Sequence, residues 1–292
     1  MRVGIDIGGT GTRIVAIDHL GTVVSAIDTP TVDFVQCETP QARIDFMVSK
    51  VSTVLNGSKA TSIGIGVSGP IDLRNGVIDN PDTLPAFTGF KLAEPIAKAF
   101  ETNVWIDNDA VAAAHAELYL GSFENSKKTD SLLSITLGTG IGVCLLGPSG
   151  PFRALDGQHP EASHISVEGS GHECYCGLTN CWEMVASRRA LERIALESGG
   201  DFSVALKKYS IGLSDGLASL ITLFRPNAIV FGGSVSKYWL ELGPLVHNHL
   251  SKLKEVPKDF QTWPSEFGVN GGAIGAALLP EHQTGFVARR KA

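Results

Sequence analysis

Hydrophobic and polar positions alternate from the first residues of the chain. Val3, Ile5 and Ile7 recur at every second position, the period of a strand with a buried face. Glycines at 8, 9 and 11 interrupt it, and Ile14-Val15-Ala16-Ile17 begins a second apolar run, so the short connection predicts a hairpin. The pattern returns at Ser134-Ile135-Thr136-Leu137, where Gly138-Thr139-Gly140 separates it from the apolar run 141–146. Further apolar runs predict strands at 23–27, 63–67, 104–106 and 228–231. Ile44, Val48, Val51 and Leu55 keep helical spacing behind a Thr39-Pro40 start, which predicts a helix over 41–55. Helices are also expected over 91–100, from 108 to about 120, and over 182–198, 213–224 and 272–279.

Strands alternating with helices predict an α/β fold with largely parallel central strands, whose functional loops lie at the strands' carboxyl ends. Two hairpins with Gly-Thr-Gly turns predict two related halves. The expected division is 1–120 and 121–272, with polar 121–130 as the boundary and a loop-rich insert from 150 to 181 in the second half. A C-terminal segment of about 273–292, opening on the last apolar helix, is expected to pack back on the first half.

Composition narrows the classes. With 292 residues, 43% hydrophobic and 18% charged, the chain can bury a sizeable core and does not read as disordered. A net charge of −6 argues against non-specific nucleic-acid binding, though not against a nucleotide held by local N–H groups. No apolar run approaches a membrane span, and Met1 leads at once into a strand with no room for a signal peptide. Five cysteines, three of them between 174 and 181, suit a metal better than disulfides and suggest a reducing, cytoplasmic setting.

The first turn carries candidate chemistry. Successive N–H groups at Gly8 and Gly9 form an anion-binding concavity, with Thr10 and Thr12 as hydroxyl donors and Arg13 as a further contact. Asp6 is a carboxylate on an apolar strand, costly unless a cation stands near, and Mg²⁺ on a phosphate would supply one. The plainer alternative is a tight hairpin with Asp6 capping its own turn. Ile135 replaces Asp6 in the second copy, so the halves divide the work, with Gly138, Thr139 and Gly140 as a second phosphate turn. Gly232-Gly233-Ser234, after an apolar strand, is a candidate nucleotide contact or a plain strand-to-helix turn.

Asn108-Asp109 stands where a strand gives way to a helix. One of the two suffices as an N-cap, which leaves Asp109 as candidate general base and Asn108 to fix a neighbouring hydroxyl. His164, Cys174, Cys176 and Cys181 match a tetrahedral structural zinc site, with His172 competing for the fourth position and three merely buried thiols as the alternative. Glu161 and Glu183 flank this knuckle and can accept bidentate hydrogen bonds from vicinal hydroxyls, unless they are a solvated loop acid and an ordinary first-turn acid. Gly69, after the strand 63–67, is a further candidate substrate contact.

Taken together, the motifs resemble the ROK family of sugar kinases and repressors, within the actin-like and hexokinase ATPase superfamily. The resemblance rests on Asp6-Ile7-Gly8-Gly9-Thr10, Asn108-Asp109, the 137–142 turn, Glu161-x-x-His164, Cys174-x-Cys176-Gly177 through Cys181-x-Glu183, and Gly232-Gly233. It implies two actin-like (ribonuclease H-like) domains with a cleft between them. It implies ATP and Mg²⁺ at the Gly-Thr turns and phosphoryl transfer to a hexose hydroxyl, usually the 6-hydroxyl. By the same resemblance Asp109 is the catalytic base; Asn108, Glu161, His164 and Glu183 contact the sugar; and His164, Cys174, Cys176 and Cys181 hold zinc. Relatives are often dimers or tetramers, so a homo-oligomer is expected.

The chain departs from the family at three places. Pro160-Glu161-Ala162-Ser163-His164 replaces the usual Gly-Glu-x-Gly-His; His159-Pro160-Glu161 resembles the fructokinase-type branch, whereas the knuckle resembles the glucokinase and amino-sugar branch. Thr179-Asn180 replace Arg-Gly before the last cysteine, and the segment after Asn80-Pro81 differs from Pro-Asn-Leu-Pro. Glucose is therefore the first expected sugar, with fructose, mannose and N-acetylated hexosamines as alternatives. A repressor of this family carries a helix-turn-helix before the kinase-like part; here the hairpin begins at the first residue, so a DNA reader is not expected. A sugar-binding protein without catalysis would not need Asp6, Asp109 and both glycine turns together.

Overall fold

The computed structural model describes residues 1–121, 131–168, 171–254, 261–282 and 285–289. From the N-terminus run β1 (Arg2–Ile7), β2 (Gly11–Ile17), β3 (Val23–Pro30), α1 (Thr31–Val35), α2 (Pro40–Leu55) and β4 (Ser62–Val67). Then come β5 (Ile71–Asp72), β6 (Val77–Ile78), α3 (Ala93–Phe100), β7 (Val104–Asn108) and α4 (Asp109–Tyr119). The remainder comprises β8 (Leu132–Leu137), β9 (Ile141–Gly147), β10 (Gly150–Pro151), α5 (Glu183–Ala186), α6 (Arg188–Glu197), α7 (Phe202–Phe224), β11 (Ala228–Gly232), α8 (Trp239–Leu250), β12 (Gln261–Pro264), α9 (Gly271–His282) and β13 (Phe286–Ala288). Among the described residues no helix is long and apolar enough to cross a membrane.

Contacts divide the chain into two compact units. The first comprises Met1–Asn125, Gly150–His159 and Asn270–Ala292; the second, Ser126–Ser149 and Pro160–Val269. The polar boundary expected at 121–130 lies, from residue 122 onward, outside the described residues. Gly150–His159, inside the expected insert, clusters with the first unit.

The first sheet has the order β13-β7-β4-β1-β2-β3, with β1, β4 and β7 parallel and β1-β2-β3 antiparallel. Its parallel centre is buried on both faces, so β4 reads as an unbroken buried run rather than an alternating one. Glycine makes the packing possible: a Cβ on Gly4 or Gly64 would stand 1.8 or 1.7 Å from the backbone oxygens of Ala273 or Ala276. The small residues of α9 therefore lie directly on β1 and β4.

The second sheet has the order β10-β9-β8-β11-β12, with β8, β11 and β12 parallel. Its core gathers Trp182, Tyr209, Leu213, Leu217 and Phe231, all fully buried. The structure departs from the expected helix over 182–198, which is two helices. Ser187 is extended (φ −80°, ψ 169°), and its side chain accepts from the Ala190 N–H at 3.3 Å, capping α6 anew. Helix 213–224 begins earlier, at Phe202, behind an Asp201 cap that accepts from Val204 at 3.1 Å. Its second turn carries exposed Lys207 and Lys208, which interrupt the apolar spacing in the sequence.

Candidate active site

Both expected hairpins form, and their turns close alike. The Gly8 N–H donates to the Gly11 carbonyl at 3.0 Å, and the Gly138 N–H donates to the Gly140 carbonyl at 3.0 Å. In the first unit, Thr31 braces the turn by donating its hydroxyl to the Gly8 carbonyl at 2.6 Å. Gly9 and Thr10 are exposed at its tip. Thr12 and Arg13 have partners within the first unit. Thr12 is 1% exposed against the Thr31 hydroxyl, and Arg13 is engaged by Asp28 through two 2.5 Å bonds and by Asn270 at 3.0 Å.

Asp6 ends β1 beside Gly272, where a Cβ would stand 2.2 Å from its carboxylate. Burial first, then the Asp109 carboxylate, push the Asp6 carboxyl up to about 7 against the downward pull of Arg13. A carboxyl that resists ionising next to a second carboxylate fits a position built around a cation, the chemistry expected of Mg²⁺.

Asp109 opens α4. Asn108 caps the helix, its Oδ1 accepting from the Ala110 and Val111 N–H groups at 2.8 and 3.4 Å. Its Nδ2 has no hydrogen-bond partner among the described residues. Asp109 is oriented at both oxygens, Oδ2 by the Ser68 hydroxyl at 2.8 Å and Oδ1 by the Ala110 N–H at 2.8 Å. Gly69 follows Ser68, and the Asn80 amide ties both carbonyls down at 3.1 and 2.5 Å while its Oδ1 accepts from the Thr83 N–H.

The junction has a support that the sequence reading did not flag. Asp107 is fully buried, accepts from the Asn108 N–H at 2.8 Å and pairs with Arg153 at 2.6 Å. His159 is buried alongside; desolvation and Arg153 lower its pKa, against the pull of Asp109 and Asp107. The argument that singled out Asp6, a carboxylate on an apolar strand, applies equally to Asp107.

In the second unit, the donor atoms of His164, Cys174, Cys176 and Cys181 all lie within 4.8 Å of one another. His164 Nδ1 stands 3.2 Å from Cys181 Sγ and 3.6 Å from Cys174 Sγ. Gly177, at φ +90°, makes the turn between the second and third cysteines. Three sulfurs and one imidazole nitrogen at this separation fit tetrahedral zinc, and the cluster takes in His164 rather than His172. The other ring nitrogen, Nε2, stands 2.9 Å from the Tyr175 hydroxyl, a partner the sequence did not suggest. Burial raises the Tyr175 pKa, and the Glu183 and Glu161 carboxylates raise it further, so the two acids converge on this ring.

Glu183 also reaches the second turn. Its Oε2 accepts from the Ile141 N–H at 3.0 Å, and a Cβ on Gly140 would stand 2.4 Å from it. Gly232 ends β11. Gly233, at φ +80°, lies against the Leu137 backbone, where a Cβ would meet the Leu137 oxygen at 2.4 Å.

Two units of this topology, each opening on a glycine-turn hairpin, have the fold of the actin-like ATPases. The ROK family model matches residues 2–283, and the chain belongs to the ROK family. The glucokinase of Thermotoga maritima is 25% identical over 97% of this chain and 98% of its own. The xylose repressor of Bacillus subtilis is 25% identical over 95% of this chain and 76% of its own. Among solved structures, the ROK family glucokinase of Streptomyces griseus, in complex with glucose and AMPPNP, matches with a TM-score of 0.79 and 25% identity over 95% of this chain and 98% of that one.

Proposed function

We propose that the protein is an ATP-dependent hexose kinase that moves the γ-phosphoryl of ATP to a sugar hydroxyl, the 6-hydroxyl of glucose first. The observation that carries this reading is Asp109. Asn108 alone satisfies the helix cap, and Ser68 and the Ala110 N–H orient both Asp109 oxygens, so the acid beside that cap is available for a role other than capping. Asp109 takes the proton from the sugar hydroxyl as that oxygen bonds to the γ-phosphorus and the bond to ADP breaks. Asn108 Nδ2, Glu161, His164 and Glu183 hold the other hydroxyls. The Gly8 and Gly138 N–H groups close their own turns, so the N–H groups of Gly9 and Thr10 and of Thr139 and Gly140 are the ones offered to the phosphates. Asp6 would hold Mg²⁺, which would supply charge neutralisation at the donor phosphates. His164, Cys174, Cys176 and Cys181 would hold zinc, which would keep the knuckle and its flanking acids in place.

The test is ADP release from Mg-ATP with glucose, mannose, fructose, N-acetylglucosamine and N-acetylmannosamine. One sugar should turn over far above the rest, and Asp109→Asn should lower its kcat by about 10²- to 10⁴-fold while sugar affinity holds. Fructose, in view of His159-Pro160-Glu161, and the N-acetylated hexosamines, in view of the three-cysteine knuckle, are the alternative acceptors. The likeness to the xylose repressor supports a second reading, a sugar sensor without catalysis. Sugar binding without turnover, unaffected by Asp109→Asn, would favour that reading.

A further inference from the structure

Arg188 is the first residue of α6, and three of its nitrogens are accounted for. Its backbone N–H donates to the Gly138 carbonyl at 2.8 Å, which pins the helix to the Gly138–Thr139–Gly140 turn. Nη2 donates to the Thr139 hydroxyl at 3.2 Å, and Nη1 donates to Glu192 at 2.5 Å. The cation therefore stands on the threonine of that turn. Its carboxylate partner among the described residues is a surface neighbour one helical turn away: the Arg188 and Glu192 side chains are 37% and 57% exposed. Such a pair contributes little in water and exchanges readily for a better anion.

The same side chain lines a cavity of ≈ 150 Å³ with Phe202, Ser234, Lys237 and Tyr238. Ser234 follows Gly233, and its hydroxyl is buried with no hydrogen-bond partner among the described residues. Lys237 lies over the Tyr238 ring at 4.8 Å, so a second cation borders the same space.

We propose that Arg188 leaves Glu192 to bind the phosphate chain of the phosphoryl donor, and so sets the preference for donors with a chain of phosphates. Guanidinium suits this role because it gives two parallel donors to phosphate oxygens, and a phosphate chain outcompetes a single exposed carboxylate. The inference rests on the kinase reading, because it assigns the donor side of the same site.

The experiment is calorimetric titration of wild type, Arg188→Met, Arg188→Lys and Glu192→Gln with Mg-ATP and, separately, with adenosine, which lacks phosphate. Arg188→Met should weaken ATP about 10- to 100-fold and leave adenosine unchanged. Arg188→Lys should recover part of the loss, and Glu192→Gln should bind ATP as well as wild type or better. An ATP affinity that moves less than twofold in Arg188→Met overturns the proposal. So does an equal fall for adenosine, which would mean that Arg188 only shapes the fold. Wild type that binds ATP but phosphorylates no sugar defeats the kinase reading and leaves the phosphate contact standing on its own result. Wild type that binds no ATP overturns both.

Discussion

Asp6 is a carboxylate whose burial comes at a cost to the fold. Burial and the Asp109 carboxylate raise it to about 7, well above the usual carboxylate range. The folded chain therefore holds this proton more tightly than the unfolded chain. Its contribution to stability is fully present below about pH 4 and is lost as the pH rises through about 7. Asp6→Asn, which cannot ionise, should be more stable than wild type without nucleotide by roughly 2 to 4 kcal/mol at pH 8, with a much smaller gap at pH 5. Urea unfolding across pH 5 to 8 measures this, and a gap that does not widen with pH would contradict it. Asp6 was legible in the sequence because a carboxylate among Val3, Ile5 and Ile7 breaks the pattern. Thr12 and Arg13 were legible only as types. Their facing depends on register: Arg13 lies directly opposite Asp28 on β3, a pairing set by strand neighbours and not by the glycines beside it.

At the scale of elements, the junction of β7 and α4 is held from a distance in the chain. Arg153, in the returning segment, reaches the fully buried Asp107, which in turn accepts from the Asn108 backbone. Arg153→Met would leave a buried carboxylate without its cation, so it should cost about 3 to 5 kcal/mol. The double variant Asp107→Asn/Arg153→Met removes the charge as well and should recover most of that loss. Thermal unfolding of the three proteins gives the comparison; a double variant no more stable than Arg153→Met alone would mean that shape, not charge, holds the segment. The hairpins, β4 and the His164–Cys174–Cys176–Cys181 cluster were readable because glycine, apolar runs and cysteine spacing are local signals. The break at Ser187 was not, because a cap within a continuous helical pattern looks like one more polar residue until the chain turns there. Nor could spacing show that Arg188 meets Thr139, 49 residues away.

At the scale of the molecule there are two hydrophobic cores, one around Ile5, Ile65 and Ile106 and one around Trp182, Tyr209 and Phe231. Two cores in one chain need not melt as one transition. The His164–Cys174–Cys176–Cys181 cluster adjoins the second: Cys181 precedes Trp182, which is fully buried and donates its indole N–H to the Gly212 carbonyl at 3.0 Å. Binding of a structural metal adds directly to the stability of the unit that holds it. Stripping zinc with a chelator should therefore lower the unfolding temperature of the second unit by more than about 5 °C. Hydrogen exchange separates the two. Amides of α5, α7 and the 162–167 loop should exchange faster after chelation, while those of β1, β4 and β7 keep their protection. Equal acceleration in both cores would show that the metal's influence is not confined to its own unit. A purified protein without one equivalent of zinc would remove the cluster from the account of that core and leave its stability to Trp182 and the apolar residues packed around it.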